Sequence, residues 1–431
     1  MKPVVIVLLL LSFLPATRAA EKPTRGPYLQ MATTNSMVVR WRTEKPSKGY
    51  VRYGRTPGTA TNLVTHAGVL TEHIVQLKKL KPDTRYYYAV GTATNQWLNA
   101  IGEDHSFVTP PVPGPARPTR IWALGDPGTA DTNQIAVRDA FYQWSGGKHP
   151  DVWLMLGDNA YNTGTDKEYG KAVFDIYAPL HRVSPLWPAL GNHDAGSANS
   201  GTQSGVYYDV FTLPTLGQSG GSPSGTEAYY AFDHADIHFI CLDSQDTDRS
   251  ADGAMATWLK ADLASTARDW VICFFHHPPY TKGSHDSDKR SDSDGRMAQM
   301  RENILPILEA GGVDLVLTGH SHGYERSFLL DGHYGTSTNL VASMIKDRRD
   351  GRPDGDGAYT KSAGLRPHGG AVYVVSGSAG QASGGKLDHP AMYLSLNKLG
   401  SLVIDIDGPV AEVKFIGSKG QVRDYFSLRK Q

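Results

Sequence analysis

The 431-residue sequence has only two cysteines and no excess of charge of either sign, and these shortages limit what the protein can be. Lys and Arg together number 43, as do Asp and Glu, so the formal net charge is +0. A dedicated nucleic-acid or membrane-surface protein needs a basic excess, so the composition argues against both partners. An anionic substrate must therefore be attracted locally, for instance by bound metal ions.

The two cysteines, Cys241 and Cys273, each lie in an apolar, strand-like run. A two-cysteine zinc site needs further ligands at short spacing, and none are present. Export would permit a disulfide. However, neighbouring strands rarely offer bridging geometry and small buried thiols are common in cores, so two separate thiols are the favoured interpretation.

Long hydrophobic runs are also missing, except at the start of the chain. Lys2, the apolar residues 4–14 and the small residues near Arg18 predict a cleaved signal peptide over residues 1–19. That run is shorter than the roughly 20 apolar residues that cross a bilayer. We therefore expect a secreted or periplasmic protein without stable membrane insertion, whose mature chain begins near Ala20.

Residues 22–110 lack a cluster of metal-ligating side chains and have the pattern of a small β-sandwich. Short alternating segments at 37–42, 49–53 and 85–90 are separated by turn residues. Segment 77–88 resembles the E–F region of fibronectin type III domains, which are sandwiches of this kind. A carbohydrate- or partner-binding role is one interpretation. Packing against the next domain is the favoured one.

Five prolines within residues 109–118 mark a domain boundary, and we expect a stiff linker over residues 111–118. From 119 to 431 the pattern alternates between apolar strands and helical segments. The apolar runs are nearly continuous, which predicts a sheet covered on both faces; they span 120–124, 152–156, 237–242, 270–275 and 313–317. The C-terminal residues return to β character, which predicts a second sheet packed on the first.

Polar motifs occur at five places along the chain, nearly all of them directly after an apolar run. They are Gly125-Asp126, Gly157-Asp158-Asn-Ala-Tyr161, Gly191-Asn192-His193-Asp194, His276-His277 and Gly319-His-Ser-His322. Ligands in open α/β sheets gather at the carboxyl ends of the strands. Asp, Asn, His and Tyr at five such ends supply oxygen and nitrogen ligands for two hard or borderline cations. Each motif alone is weak, but the five in order predict a two-metal site.

These motifs resemble those of the calcineurin-like metallophosphoesterases and, more closely, of purple acid phosphatases with a fibronectin-like N-terminal domain. The most specific parts are Gly157-Asp-Asn-Ala-Tyr161 and Gly319-His-Ser-His-Gly-Tyr-Glu-Arg326. The resemblance extends over essentially the whole mature chain. It implies an α/β protein, in which the N-terminal fibronectin type III-like β-sandwich precedes a four-layer αββα metallophosphoesterase domain at 119–431.

The resemblance further implies a set of metal ligands around two ions. The first ion would be held by Asp126, Tyr161 and His322, and the second by Asn192, His276 and His320. Asp158 would bridge both. A phenol becomes a ligand only beside a strongly Lewis-acidic ion. By the same resemblance, the first ion is expected to be Fe³⁺, and the second Zn²⁺, Fe²⁺ or Mn²⁺.

Three further residues receive catalytic roles from the same resemblance. His193 would contact the phosphate and help to protonate the leaving oxygen, with Asp194 orienting it. His285, nine residues beyond His276, would act similarly. Asp286 stands where plant relatives carry a second histidine, which leaves the pH optimum and the leaving-group preference open.

The function implied is an exported phosphatase of the acid phosphatase type, acting on small phosphate monoesters by in-line attack of a metal-activated hydroxide. A phosphodiesterase or nucleotide pyrophosphatase on the same centre is the alternative, because loop composition does not reveal the shape of the pocket rim. A non-catalytic binding module is less favoured, since neither a ligand nor His193 is missing. The physiological ester and the oligomeric state stay open.

Overall fold

A computed structural model describes residues 22–431, so the expected signal peptide at 1–19 lies outside the described residues. Across this described part, no helix is both long and apolar enough to cross a membrane.

The first part of the described chain is a sandwich of two antiparallel sheets. Its strands are β1 (Arg25–Thr33), β2 (Ser36–Ser47), β3 (Tyr50–Gly54), β4 (Asn62–Thr65), β5 (Leu70–Leu77), β6 (Arg85–Ala93), β7 (Gln96–Trp97) and β8 (Ser106–Val108). One sheet has the order β1-β2-β5, and the other contains β4-β3-β6-β7 with β8 paired to β6. The Tyr86 hydroxyl accepts a hydrogen bond from the Lys81 amide at 2.9 Å. This is the tyrosine corner expected at the E–F bend of a fibronectin-like sandwich.

The rest of the chain is a mixed α/β domain. Its strands are β9 (Thr119–Leu124), β10 (Val152–Met155), β11 (Leu186–Pro188), β12 (Ala198–Asn199), β13 (Ser204–Gly205), β14 (Tyr230–His234), β15 (Ile237–Cys241), β16 (Trp270–Phe275), β17 (Leu315–Thr318), β18 (Tyr324–Ser327), β19 (Leu329–Leu330), β20 (Ile345–Asp347), β21 (Tyr359–Lys361), β22 (Val372–Ser376), β23 (Met392–Leu396), β24 (Gly400–Asp407), β25 (Val410–Gly417) and β26 (Val422–Lys430). Its helices are α1 (Thr132–Trp144), α2 (Asp166–Tyr169), α3 (Ala178–His181), α4 (Val206–Val210), α5 (Ala254–Ser265), α6 (Arg296–Gln299) and α7 (Leu305–Ala310). A π-helical turn, Met300–Ile304, joins α6 to α7. Residues 296–310 therefore form one nearly continuous helical segment.

Two seven-stranded sheets within residues 119–431 carry the large core. Their orders are β11-β10-β9-β24-β25-β26-β21 and β14-β15-β16-β17-β22-β18-β23. Every residue of β10, β16 and β17 is buried, as near-continuous apolar strands require when both faces are covered. The predicted α/β class and the fibronectin-like sandwich before it are confirmed.

The division of strands between the two sheets differs from the prediction. The C-terminal strands β24–β26 do not build a separate second sheet but extend the sheet of β9, because β24 pairs antiparallel with β9 from Leu402 opposite Ala123 to Ile406 opposite Thr119. Only β22, of the C-terminal segments predicted as strands, joins the other sheet, where it pairs with β17. The backbone groups on the side of β9 that does not face β10 are thus paired by β24, since unpaired groups at a strand edge need hydrogen-bond partners.

The two cysteines lie on neighbouring strands and are both free thiols. Cys241 on β15 is opposite Phe274, and Cys273 on β16 is opposite Ile240. The two residues therefore sit one register position apart, where side chains leave opposite faces of a sheet. The favoured interpretation of two separate buried thiols agrees with this placement.

The N-terminal sandwich is attached to the second domain by polar contacts from its first two strands. The Tyr28 hydroxyl donates to the Val210 carbonyl at 2.9 Å, and the Arg40 guanidinium donates to the Phe211 carbonyl at 2.7 Å. Arg25 and Arg42 both pair with Asp166 at 2.6 Å. These contacts agree with the favoured interpretation that the N-terminal module packs against the next domain.

A buried histidine away from the strand ends makes stability depend on pH. His238 on β15 is fully buried between Asp233 on β14 and Asp262 on α5, at 2.7 Å from each carboxylate; Arg268 lies 3.6 Å from Asp233. Burial alone would lower the pKa of His238, but hydrogen bonds to the two carboxylates raise it to about 9.

Because the folded-state pKa of His238 is raised, its contribution is complete below pH ~6.5 and is lost as the pH rises through ~9. We expect the free energy of unfolding to fall by about 3 kcal/mol over that range. In His238→Gln the fall should be largely absent and the protein less stable at pH 6. Urea unfolding at several pH values measures both, and an unchanged slope in the variant would contradict the assignment.

Candidate metal centre

The candidate ligands lie where the strands of the two sheets end side by side. Asp126 follows β9, Asp158 follows β10, His276 follows β16 and His320 follows β17. Hydrogen bonds join these ends directly, since the Gly125 amide of the first sheet donates to the Ser376 carbonyl of the second at 3.0 Å. Parallel strands that end at one edge bring sequence-distant side chains together.

Three of the candidate ligands have backbone conformations that are unusual for residues with a side chain. The φ angles are +56° at Asp126, +52° at Asp158 and +65° at His320. Non-glycine residues seldom adopt this left-handed region, and such outliers cluster at functional sites where the surrounding structure holds them. Each of the three residues lies two or three positions after the last residue of a strand.

Two glycines allow the ligand loops to approach one another closely. A Cβ added at Gly319 would lie 2.4 Å from Oδ2 of Asp126, and one added at Gly157 would lie 2.5 Å from Nδ1 of His276. Gly157 also has a φ of +90°. The Gly-Asp and Gly-His pairs seen in the sequence therefore reflect the space that the neighbouring ligand occupies.

One group of donors converges on the Tyr161 phenol. Its Oη lies 3.2 Å from Oδ1 of Asp126, 3.1 Å from Oδ2 of Asp158 and 3.3 Å from Nε2 of His322. Nε2 of His322 is in turn 3.4 Å from Oδ1 of Asp126. Two carboxylates, a phenol and an imidazole thus present their ligand atoms to a common point.

A second group converges on the Asn192 side chain. Its Oδ1 lies 3.0 Å from Nε2 of His276 and 3.0 Å from Nδ1 of His320, and these two nitrogens are 3.2 Å apart. The remaining oxygen of Asp158, Oδ1, lies 3.4 Å from Nε2 of His276. Asp158 therefore offers one oxygen to each group, which is the geometry of a bridging carboxylate.

The outer nitrogens of the imidazoles have partners that orient the rings. Nδ1 of His276 lies 2.9 Å from the Leu156 carbonyl, which can only accept, so Nε2 carries the lone pair that faces Asn192. Nε2 of His320 is held by the Ser293 hydroxyl at 2.6 Å, which leaves Nδ1 for the cluster. Metal-ligating histidines in general have such outer partners.

The pKa values of the candidate ligands are shifted because these polar side chains are buried close to one another. Burial and the carboxylates of Asp126 and Asp158 raise the pKa of Tyr161 well above its usual value. Burial and the neighbouring histidines lower the pKa of His320 well below its usual value. Burial would raise the pKa of Asp158, but His276 and His193 lower it overall. Oxygen and nitrogen lone pairs that face one another in this way fit two cations, which would relieve the repulsion.

His193 lies beside the cluster, at its open side. Its side chain is 34% exposed, and Nε2 is 3.9 Å from Oδ2 of Asp158. Nδ1 is 2.6 Å from the Asn162 carbonyl, and the ring packs edge-on against Tyr161 with centroids 4.4 Å apart. The His193 amide donates to Oδ1 of Asp158 at 2.9 Å. The ring is therefore oriented by a backbone carbonyl.

The expected orienting role of Asp194 needs correction, because its carboxylate hydrogen-bonds elsewhere. It accepts from the Tyr169 hydroxyl at 2.6 Å, from the Gly191 amide at 2.9 Å and from the Asn159 side chain at 2.9 Å. The backbone turns into a short 3₁₀ segment at this position, so adjacent side chains diverge. Asp194 ties together the loops that carry Asp158 and Asn192.

His285 also lies next to the cluster. Its ring stacks on that of His320, with centroids 3.9 Å apart and planes inclined by 21°. Nδ1 is 2.8 Å from Oδ1 of Asp292. The structure thus brings all ten predicted site residues to one region, with Asp194 behind the ligands rather than against His193.

Known proteins match both parts of the chain. The family model described as calcineurin-like phosphoesterase matches residues 119–324, and the purple acid phosphatase N-terminal domain matches residues 25–109. The chain belongs to the purple acid phosphatase family. Among curated relatives of this family, purple acid phosphatase 18 of Arabidopsis thaliana is 29% identical over 319 residues, which are 70% of this chain and 65% of that protein.

Solved structures support the fold of this purple acid phosphatase family member. A purple acid phosphatase from yellow lupin seeds superposes with a TM-score of 0.70 at 18% identity, covering 95% of this chain and 75% of that one. PhoD superposes with a TM-score of 0.66 at 13% identity, covering 96% of this chain and 92% of that one. The chain spans about half to two thirds of the length of the curated plant relatives it matches.

Several residues around the centre were not predicted from the sequence. Nε2 of Gln381 lies 3.2 Å from Nε2 of His322, and the Ser383 hydroxyl is 3.2 Å from Nδ1 of the same ring. Both residues belong to a loop rich in Gly and Ser after β22, whose composition carries no ligand pattern.

His277, the neighbour of the candidate ligand His276, is fully buried, and its Nδ1 is 2.9 Å from the Ser244 hydroxyl. This placement favours an anchoring role over contact with a substrate.

Replacing Asp194 by alanine tests its structural role. The change leaves the Tyr169 hydroxyl, the Gly191 amide and the Asn159 side chain without their buried acceptor, and each unsatisfied group costs about 1–3 kcal/mol. We expect a loss of roughly 3 kcal/mol or more in the free energy of unfolding, measured by urea denaturation. A variant of unchanged stability that had lost only turnover would instead restore the catalytic assignment.

Proposed function

We propose that this chain is a dinuclear-metal phosphatase that hydrolyses small phosphate monoesters. Asp126, Tyr161 and His322 would hold the first ion and Asn192, His276 and His320 the second, with Asp158 shared. The observation that carries the proposal is the Asp158 carboxylate, whose two oxygens face two different groups of donors. An ordinary buried carboxylate has no need of such an arrangement.

The donor sets differ in a way that supports two different ions. The first set contains a phenol and two carboxylates, which suits Fe³⁺, whereas the second contains an amide and two imidazoles, which suits Zn²⁺, Fe²⁺ or Mn²⁺. When bound, two such cations supply Lewis acidity that holds phosphate oxygens and activates a nucleophilic water.

The protein's own part in the reaction is orientation and proton transfer. His193, fixed by the Asn162 carbonyl and open to solvent on its other side, is placed to hold a proton at Nε2 and pass it to the leaving oxygen. We also propose export through residues 1–19 and the division into domains at 22–110 and 119–431, with the 111–118 linker between them.

Metal analysis with a visible spectrum and a hydrolysis assay tests the proposal. We expect close to two metal ions per chain, absorption in the visible range from a Tyr161–Fe³⁺ unit, and hydrolysis of p-nitrophenyl phosphate in preference to bis-p-nitrophenyl phosphate. Preference for the diester would favour the phosphodiesterase alternative. Protein that binds no metal and hydrolyses neither ester would overturn the proposal, and colourless zinc protein would overturn only the iron assignment.

A further inference from the structure

The loop that follows His285 returns to the metal centre and carries residues that no motif identified. In this loop Asp292 accepts a hydrogen bond from Nδ1 of His285 at 2.8 Å through its Oδ1. The same oxygen accepts from the Ser293 hydroxyl at 2.9 Å, and Oδ2 accepts from the Asp286 amide at 2.8 Å. All four groups belong to the Asp- and Ser-rich segment, which is therefore internally fixed.

The same loop reaches a metal ligand directly. The Ser293 hydroxyl is 2.6 Å from Nε2 of His320, which belongs to the second donor group. Asp292 is therefore linked to His320 through the hydroxyl of the neighbouring Ser293. Ser293 and Asp294 both have a φ of +52°, which turns the loop toward His320. His285 closes the arrangement by stacking on His320. The two imidazoles are thus held face to face by one carboxylate.

With Nδ1 engaged by Asp292, the other nitrogen of the His285 ring is left for a ligand. Within residues 22–431, Nδ1 of His285 has a hydrogen-bond partner and Nε2 has none. The His285 side chain is 30% exposed. A rigidly held ring with one free nitrogen beside a metal centre is suited to touch a bound substrate. Such a ring loses its effect when its orientation is lost.

We infer that Asp292 is a positioning residue, which accepts from Nδ1–H of His285 and so fixes the ring such that, with a proton on each nitrogen, Nε2–H donates a hydrogen bond to the leaving oxygen of the phosphate ester. The inference rests on the proposed phosphatase function. In the hydrolysis a P–O bond forms to a water oxygen, and the ester P–O bond breaks with its electron pair on the alcohol oxygen. That oxygen gains a proton while the water loses one. His285 serves the departing oxygen and Asp292 acts only through His285.

The consequence concerns the class of substrate. Departure of an alkyl alcohol needs more help from a hydrogen-bond donor than departure of p-nitrophenol, because the alkoxide is a far stronger base. Asp292 should therefore matter most for alkyl phosphates such as glycerol phosphate or phosphoserine. It should matter little for p-nitrophenyl phosphate.

The test compares Asp292→Asn with the control Asp294→Asn, both in the holoenzyme. The side chain of Asp294 is 86% exposed and pairs with Arg296 at 2.7 Å. For Asp292→Asn we expect kcat for glycerol phosphate to fall by about tenfold to hundredfold, with a much smaller fall for p-nitrophenyl phosphate and two metals retained. Asp294→Asn should match the wild type on both esters.

A double-variant cycle separates positioning from a general structural effect. In a His285→Ala background, Asp292→Asn should cause no further loss on glycerol phosphate, because the two residues act as one unit. Equal losses on the two esters, or losses that multiply in the double variant, would overturn the inference. If Asp292→Asn does not fold, Asp292→Ser, which can still accept from the Asp286 amide, is measured with the same expectations. An inactive, metal-free wild type would instead remove the proposed function itself.

Discussion

Asp158→Asn is expected to lower kcat/KM for p-nitrophenyl phosphate by about three orders of magnitude or more. The asparagine keeps the volume of the side chain but replaces one oxygen by an NH₂ group, which cannot bind a cation. Since the two oxygens of Asp158 face different donor groups, one ion would lose a ligand, and the negative charge between the two ions would disappear. Metal analysis should give clearly fewer than two ions per chain.

Asp139→Asn is the matched control for this change. Asp139 is on α1, its side chain is 57% exposed, and it pairs with its neighbour Arg138. The control should retain wild-type activity and metal content. An Asp158→Asn protein with full activity would rule out the site as assigned.

His193→Ala should separate chemistry from metal binding. We expect kcat for glycerol phosphate to fall by about two to four orders of magnitude, because a general acid for a poor leaving group is removed, while both metals stay. The reason is structural: the contact from His193 to Oδ1 of Asp158 is made by the backbone amide, which alanine retains. The ring itself is bonded to the Asn162 carbonyl rather than to a candidate ligand.

The readout for His193→Ala combines single-turnover kinetics with metal analysis. His368→Ala, at a histidine with a side chain 53% exposed and bonded to Asp331, provides a control of the same chemical change. Loss of metal together with activity would make His193 a structural residue of the centre.

Much of the centre was predictable because its ligands follow strands that are readable from the sequence. Asp126, Asp158 and His276 each come directly after a nearly continuous apolar run, and parallel strands end together. The pairing of runs into sheets was less predictable. Whether β24 joins β9 or forms a separate sheet depends on which edge is free, and no local pattern encodes that.

The second layer of the site was not predictable for a related reason. Asp292, Ser293 and Gln381 lie in irregular loops, whose path depends on long-range contacts rather than on periodicity. Asp194 shows a different error, since the family resemblance assigned it to orient the adjacent His193. A 3₁₀ turn separates the two side chains, and the carboxylate is used by Tyr169, 25 residues earlier in the chain.

The contacts of the N-terminal sandwich have a consequence for what counts as the smallest foldable unit. Tyr28 holds the carbonyl of Val210 at the end of α4. Within α4, the Tyr207 hydroxyl holds the Pro188 carbonyl at the end of β11, from which the chain runs on to Asn192. The sandwich thus supports, from a distance, the segment that carries the candidate ligand Asn192. A protein engineer who excised residues 119–431 would remove that support, so transplantation or redesign of this centre should begin from both domains together.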